Sequence, residues 1–311
     1  MNLLYKYTTF ENALKIIENN SFMWSKITDF NDPFESLFLT SNDLTSFSRM
    51  IAITISINKP ILQRNEYLEL ISRNPFNSQI FFISKLRDLI KELHLDFKKQ
   101  PTKETYSTIE KKIYNTLVSH KGNMDLFNEI FTPYMLSDIS KKISDQSGIL
   151  CLSKAKNHTL MWSHYAKNHT GIMFELDITT LKSDNSIYIH DVKYQDDVPM
   201  CSYSDLLGLN EQLFKSDSDN LFKKSTLTKS PCWSYEKEVR LLRQIKNNKR
   251  ILPLPIKIFK SIYLGCKIQK NEKSKILEHI KKYSPDIDVF ENKINKNKYQ
   301  LEYYKLNNTE Y

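Results

Sequence analysis

The hydrophobic pattern is clearest in one central segment, residues 148–177, which reads GILCLSKAKNHTLMWSHYAKNHTGIMFELD. A short apolar run at 148–152 predicts a buried strand. Asn157 is a residue type that caps helices, and the apolar positions after it recur at helical spacing. The buried side of this predicted helix carries Leu160, Met161, Trp162 and Tyr165. Gly171 frees the backbone before residues 172–176, where apolar and polar positions alternate as in a strand with one buried face.

Similar patterns predict strands near both ends of the chain. Residues 3–7 alternate as a first strand, and residues 22–24 form a short second strand. Between them, Thr8 and Glu11 have the spacing of a capping box at the start of a helix. In the second half of the chain we predict strands at 187–194, 233–245, 250–256 and 261–265, helices at 203–226 and 271–282, and a hairpin within 288–305.

The intervening region, residues 42–145, carries apolar residues at spacings of three and four, in segments separated by prolines. This pattern predicts a helical insertion between two parts of one core. We therefore predict an α+β fold with a largely antiparallel sheet, in which residues 1–41 and 146–311 form the core. The insertion has no cluster of acidic, histidine or cysteine residues, so we expect it to contribute few residues to a site.

Composition argues against several classes of protein. The chain has 311 residues, 40% of them apolar, which is enough for a large core in one or two domains. The five glycines form no phosphate-binding loop, and the four cysteines form no CxxC pair. The sequence shows no signal pattern and no apolar run of about 18 residues, so we expect a soluble, cytoplasmic protein without membrane association.

The formal net charge of +9 has two interpretations. A lysine-rich, solvated surface is the simpler one, since lysines are spread through the whole chain. Electrostatic attraction to nucleic acid or another polyanion is the alternative. Lysines are denser near the end of the chain, at Lys293, Lys296 and Lys298, but no single basic block stands out.

Polar residues with catalytic potential lie on the predicted strand 233–245. Glu236, Glu238 and Arg240 fall on one face of that strand. They form either a salt-bridged strand exposed to solvent or an E-x-E pair that lines a cleft. Near the start of the chain, Lys6 stands between two tyrosines and either faces solvent or contacts a ligand.

Four short motifs occur along the chain, namely LYKYT at 4–8, FNDPFE at 30–35, MWSHYA at 161–166 and WSYEKEVR at 233–240. These motifs, in this order, resemble a large prokaryotic domain family of unknown function that is found among phage-defence and abortive-infection genes. Within FNDPFE, Asn31 either stabilises a turn or contacts a ligand. Polar residues of separate motifs have no common reason to recur together unless they share a site. The predicted members of that site are Lys6, Asn31, His164 and Glu238.

The predicted layout also resembles the ADP-ribosyltransferase fold, and this resemblance implies NAD as the substrate and no metal. In such enzymes a first strand holds the nucleotide, a second region surrounds the nicotinamide, and a late strand carries a glutamate, often as E-x-E. The corresponding residues are Tyr5, Lys6 and Tyr7 for the first strand, Ser153, Trp162 and Tyr165 for the second region, and Glu236 and Glu238 for the late strand. Lys6 stands where these enzymes carry Arg or His, and their Ser-Thr-Ser pattern is absent.

The same resemblance implies a role for each polar group. Glu238 would stabilise the cationic, oxocarbenium-like charge that develops when the nicotinamide–ribose bond breaks, and Glu236 would orient the acceptor. An aromatic residue of the second region would stack on the departing ring, and Arg240 or Lys6 would hold the pyrophosphate. His164 is the third catalytic candidate beside the two glutamates.

Three functions therefore stay open. The first is an NAD-consuming transferase or glycohydrolase in phage defence, whose acceptor is a protein or a nucleic acid. The second is a metal-dependent nuclease that uses His164, His169 and acidic residues, although the spacing of five does not place the two histidines as in an HxxxH pair. The third is a non-catalytic sensor or binding module for a polyanion or a protein.

Overall fold

The computed structural model describes residues 3–35, 39–40, 48, 91, 103–119, 144–145, 147–201 and 221–306. The chain forms two compact units. The first comprises Met1–Ser36, Ser144–Asp197 and Thr226–Tyr311, and the second comprises Leu37–Ile143 and Val198–Ser225. Most of the predicted helical insertion, residues 42–145, lies outside the described residues, so the insertion stays a prediction.

Within the described residues, the strands are β1 (Leu3–Thr8), β2 (Ser21–Met23), β3 (Leu39–Thr40), β4 (Ser147–Ser153), β5 (Ile172–Asp177), β6 (Tyr188–Asp191), β7 (Lys193–Tyr194), β8 (Met200–Cys201), β9 (Thr228–Lys229), β10 (Glu238–Gln244), β11 (Ile251–Pro253), β12 (Phe259–Leu264), β13 (Asp288–Ile294) and β14 (Leu301–Lys305). The α-helices are α1 (Phe10–Asn19), α2 (Lys103–Ser119), α3 (Thr159–Tyr165), α4 (Leu221–Thr226) and α5 (Lys270–Tyr283). Short 3₁₀ helices lie at Ile27–Asp29, Ile178–Ser183, Pro231–Glu236 and Ile256–Ile258. None of the described helices is long and apolar enough to cross a membrane.

The first unit is built on an eight-stranded sheet with the order β14-β13-β12-β5-β1-β4-β10-β6. Neighbouring strands are antiparallel except β12 and β13, which are parallel. A parallel pair needs a long crossover connection, and α5 supplies it by joining β12 to β13. The prediction of an α+β fold with a largely antiparallel sheet is therefore confirmed.

Both faces of this sheet are covered by helices. On one face, α1 and α5 contribute to the main core together with Leu4 of β1 and Phe174 of β5. On the other face, Tyr5 and Tyr7 pack with Trp162 of α3. Because β5 lies in the middle of the sheet between these two layers, its first five residues are buried on both faces rather than on the single face predicted.

The described part of the second unit is small. Helix α2 lies within the predicted helical insertion and buries Ile113. The two-residue strands β3 and β8 pair in parallel. The other helices predicted in the insertion, and most of the helix predicted at 203–226, fall outside the described residues.

Two helix starts differ from the predictions. Helix α1 is capped by Thr9 rather than Thr8, and the Thr9 hydroxyl accepts from a backbone N–H of the first turn at 3.4 Å. Helix α3 begins after His158 and not after Asn157. The Asn157 side chain instead accepts a hydrogen bond from the indole Nε1 of Trp162 at 3.0 Å. Its amide therefore orders a buried ring rather than the helix backbone.

A left-handed turn follows α3 and returns the chain to the sheet. Lys167, Asn168 and His169 have φ angles of 46°, 54° and 69°. Gly171 does not have a positive φ, so its role is not the backbone freedom that we predicted. A Cβ atom at Gly171 would lie 2.2 Å from the backbone carbonyl oxygen of Thr8. Glycine is needed there because β1 approaches too closely for any side chain.

We expect Gly171→Ala to lower the free energy of unfolding by about 1–3 kcal/mol or more, because the clash is with backbone that no side-chain rotation relieves. Asn168→Gly is the control, since Asn168 is exposed and already left-handed. It should change the free energy by less than about 0.5 kcal/mol. Urea unfolding followed by circular dichroism measures both, and a Gly171→Ala protein as stable as the wild type contradicts the close-approach explanation.

Candidate functional site

A pocket opens where β1 and β4 separate. The two strands share one register pair, Tyr5 opposite Ser153. Beyond that pair, the Lys6 ammonium donates to the backbone carbonyl of Cys151 at 2.9 Å and bridges the separating strands. The pocket has a cavity volume of about 90 Å³, and residues of both strands line it. This volume is smaller than that of a site that encloses a whole drug-sized ligand, so the pocket can enclose a small group or one end of a larger molecule.

Most residues that the sequence proposed for a site line this pocket. They are Tyr5, Lys6, Tyr7, Asn31, Ser153, Tyr165, Glu236, Glu238 and Arg240. The pocket thus unites residues of all four sequence motifs. In the MWSHYA motif, however, Met161 and Tyr165 reach the pocket, whereas His164 does not.

Trp162 and His164 lie outside the pocket lining. Trp162 is completely buried, and its ring meets Tyr7 edge-on with 5.3 Å between ring centroids. It therefore supports the pocket wall from behind and does not offer a face to a ligand. His164 is exposed and packs beside Trp233 and Tyr235, with ring centroids 6.4 and 6.3 Å away.

A buried ion cluster forms one wall of the pocket. Arg240, only 1% exposed, donates from Nε to Glu238 at 2.8 Å and from Nη2 to both carboxylate oxygens of Glu35 at 2.9 Å. Its Nη1 donates to the backbone carbonyl of Thr226. The Lys229 ammonium lies 3.1 Å from Glu35 and 3.4 Å from Glu238. Strand β10 is buried here, so the alternative of a solvent-exposed strand is wrong.

The chain before β10 is a 3₁₀ helix, Pro231–Glu236, and not the continuous strand predicted over 233–245. Proline suits the first position of a helix, where its missing N–H is not needed. Lys237 then adopts a left-handed conformation with a φ of 44°, and β10 starts at Glu238. Because of this bend, Glu236 and Glu238 both reach the pocket, although only the second lies on the strand.

Glu236 connects the ion cluster to the polar side of the pocket. One of its carboxylate oxygens accepts from the Tyr165 hydroxyl at 2.5 Å, and the other accepts from Lys229 at 2.8 Å. Its backbone carbonyl accepts from the Ser153 hydroxyl at 2.5 Å. Side chains from β4, α3 and β9 are thereby held against one buried glutamate, so the pocket wall is ordered before any ligand binds.

The ion cluster also determines protonation in the pocket. Burial by itself would raise the pKa of Glu238, but Arg240 and Lys229 outweigh burial and lower that pKa to about 2. Burial by itself would also lower the pKa of Arg240 and of Lys229, because it disfavours their charged forms. The surrounding carboxylates outweigh burial and raise both pKa values. Burial and the bond to Glu236 raise the pKa of Tyr165, so its hydroxyl stays protonated. Glu238 is therefore a carboxylate throughout the neutral range.

The formal charges of the lining side chains cancel. Three glutamates are balanced by Lys6, Lys229 and Arg240. The pocket consequently lacks a strong field of one sign, and a ligand would be selected by hydrogen bonds, ring contacts and the local position of each charge.

Sequence reasoning missed two members of the cluster, Glu35 and Lys229. Glu35 ends the FNDPFE motif, so the motif was the available signal, but Glu35 is separated from Arg240 by 205 positions and the sequence does not reveal their contact. Lys229 is one lysine among many and lies just before the Ser-Pro break at 230–231. No spacing pattern distinguishes it.

The fold and the site together define an α+β protein with an open sheet and a small pocket walled by buried charges. Residues 161–241 match the family model described as "Protein of unknown function (DUF2971)". This segment contains the MWSHYA and WSYEKEVR motifs, and the match confirms the predicted resemblance to a domain family of unknown function. No curated protein and no solved structure is significantly similar to the chain.

Removal of the Arg240 side chain should lower the free energy of unfolding much more than removal of an exposed ion pair. We expect Arg240→Leu to lower the free energy of unfolding by about 3–5 kcal/mol, because it leaves buried carboxylates without their main partner. Lys154→Gln is the matched control, since Lys154 and Asp191 lie 2.6 Å apart with side chains 52% and 67% exposed. Loss of that pair should lower the free energy of unfolding by less than about 1 kcal/mol. Urea unfolding compares the two variants, and equal losses contradict the importance of the buried cluster.

Acid should destabilise the protein through Glu238. The pKa of this carboxyl is 4.5 without the fold and about 2 within it, so the folded state binds the proton more weakly. The resulting stabilisation, about 3 kcal/mol, is complete above the unfolded pKa and is lost as pH falls toward the folded pKa. The stability difference between wild type and Glu238→Gln should therefore narrow from about pH 6 to about pH 3. Thermal melting at several pH values measures it, and a constant difference would argue against an ionised, cluster-bound Glu238.

Proposed function

We propose that the pocket receives the nicotinamide–ribose end of NAD and that the protein breaks the nicotinamide–ribose bond, as an ADP-ribosyltransferase or an NAD glycohydrolase. The observation that carries this proposal is the ionised carboxylate of Glu238 in the wall of a pocket lined by tyrosines. The resemblance of the sequence layout to ADP-ribosyltransferases supplies the reaction class.

The chemistry of NAD cleavage suits a fixed carboxylate. The bond breaks with its electron pair on the nicotinamide nitrogen, and positive charge develops on the ribose ring. Water or an acceptor group then bonds to the ribose carbon and loses a proton. Glu238 is held in place by Arg240, so its negative charge needs no reorganisation when the ribose becomes cationic. Glu236 lies beside it on the same wall and is suited to orient the acceptor.

Two other lining residues suit the nicotinamide and the pyrophosphate of such a substrate. The nicotinamide ring is positively charged before cleavage, and aromatic faces attract cations. Tyr165 is the least buried of the pocket tyrosines, and we assign the ring to it. Lys6 is partly buried at the strand separation and is the candidate to approach the pyrophosphate. These contributions come from β1, α3 and β10, in the chain order that the resemblance implies.

The test is nicotinamide release from NAD by the purified protein, measured by liquid chromatography. Glu238→Gln keeps the shape and removes the charge, so turnover should fall by roughly 10²–10³-fold, as for loss of one electrostatic stabiliser. Melting temperature must be measured on the same variant, because Glu238 is also part of the ion cluster.

Glu175→Gln is the matched control for this experiment. Glu175 is a buried glutamate directly opposite Tyr5 on β5, and it accepts from Tyr263 at 3.1 Å and pairs with Lys156 at 3.0 Å. It does not line the pocket. We expect Glu175→Gln to lose stability but to keep its turnover below the melting temperature. Full activity in well-folded Glu238→Gln removes the catalytic assignment, and parallel losses in both variants assign the effect to folding.

A non-catalytic binding module is the second candidate, and one observation favours it. Both carboxylate oxygens of Glu238 are already engaged, one by Arg240 at 2.8 Å and the other by Arg240 and Lys229 at 3.1 and 3.4 Å. A carboxylate with both oxygens paired in this way can have a purely structural role, without contact to a ligand. Binding of a ligand in the pocket without any turnover by the wild type would support this candidate over the enzyme.

The nuclease hypothesis gains no support from the geometry. His169 Nε2 lies 3.0 Å from the Ser163 hydroxyl, and His164 packs among aromatic rings. In the part of the chain that the structure describes, no group of three His, Cys, Asp or Glu side chains is arranged to hold a metal ion. The phage-defence setting stays a prediction that rests on the motif resemblance.

A further inference from the structure

A second cavity lies on the first unit and shares no lining residue with the polar pocket. It has a cavity volume of about 510 Å³ and lies between the β13–β14 turn and the segments that follow α3 and β12. Its charged lining consists of Lys267, Lys296 and Lys298, and the described lining residues include no carboxylate. Its lining side chains therefore carry three positive charges, whereas the charges of the polar pocket cancel. The neighbouring carboxylate of Glu302 accepts from Asn295 and interacts with Lys298.

The turn between β13 and β14 carries two of the groove lysines, Lys296 and Lys298, and Asn295 orders its backbone. The Asn295 side-chain oxygen accepts from the backbone N–H groups of Asn297 and Lys298 at 2.7 and 2.8 Å. Tyr299, at the tip of the same turn, is fully exposed. An aromatic ring without any packing partner beside clustered lysines is suited to stack on a planar group of an anionic ligand.

His169 lines the groove, and the hydrogen bonds around it assign its tautomer. The Ser163 hydroxyl donates to the Thr159 carbonyl at 3.1 Å, so its oxygen accepts from the Nε2–H of His169 at 3.0 Å. The other ring nitrogen, Nδ1, is then an acceptor, and it is buried without a hydrogen-bond partner in the described structure. Burial and the nearby Lys267 lower the pKa of His169, so the ring stays neutral. The ring therefore adds no charge to the groove, and the positive groups of its lining are the three lysines.

We propose that this groove binds single-stranded nucleic acid. Lys267, Lys296 and Lys298 contact phosphates, and Tyr299 stacks on a base. A flexible strand can enter a concave groove, whereas a flat bilayer cannot reach its floor and a duplex keeps its bases from Tyr299. This inference is independent of the proposed NAD chemistry, because it uses none of the pocket residues.

Fluorescence anisotropy with labelled 15-residue oligothymidylate and oligouridylate tests the proposal at several salt concentrations. Lys296→Gln/Lys298→Gln should weaken binding by about tenfold and reduce the slope of log affinity against log salt by about 1.4, since each phosphate contact contributes about 0.7 on a single strand. Tyr299→Ala should weaken binding by about fivefold or more, because it removes a stacking ring.

Lys257→Gln/Lys260→Gln is the charge-matched control. Both lysines are exposed and lie at the other end of β12 from Lys267. Their replacement lowers the net charge of the protein by the same amount as Lys296→Gln/Lys298→Gln, but it should leave most of the affinity for the oligonucleotides. The proposal is overturned if the two double variants bind the oligonucleotides with equal affinity, or if the wild type binds neither oligonucleotide at low salt. It is also overturned if the protein binds duplex more tightly than single strand, or if it binds only anionic phosphatidylglycerol vesicles.

Discussion

The contact of Arg240 with Glu35 and Glu238 is the interaction on which the candidate site depends. It joins the end of the FNDPFE motif to β10 across 205 sequence positions, in a region where Arg240 is almost completely buried. Lys229 binds the same two carboxylates and extends the cluster to Glu236. The polar wall of the pocket is therefore one connected network, and the energetic effects of changes at its members need not be additive.

Stability alone does not explain this network. The cluster buries five charged side chains, namely Glu35, Lys229, Glu236, Glu238 and Arg240. A well-packed apolar replacement of buried ion pairs is often neutral or stabilising, so charges in such a position need another reason. They border the pocket, and they keep Glu238 ionised where burial alone would protonate it. A fixed negative charge next to tyrosines is the property that the proposed chemistry uses.

The sequence predicted the strands and helices that have clear periodicity, among them β1, β4, β5 and α5, and it predicted most pocket residues because they lie in short motifs. It did not predict the bend at Lys237, since left-handed backbone in a non-glycine residue depends on tertiary contacts. It placed His164 in the site, although α3 directs Tyr165 to the pocket instead. It missed Lys229, because a contact between distant segments leaves no local pattern. The roles of Gly171 and Asn157 also depend on packing that no spacing reveals.

A crystal structure of Glu238→Gln protein soaked with NAD tests the central claim most directly, because the slowed variant should retain an intact substrate. The account predicts density for the nicotinamide and its ribose between Tyr165 and residue 238, with the ion cluster unmoved around Glu35. An empty pocket in crystals that hold NAD elsewhere, or a ligand whose ribose lies away from residue 238, would contradict it.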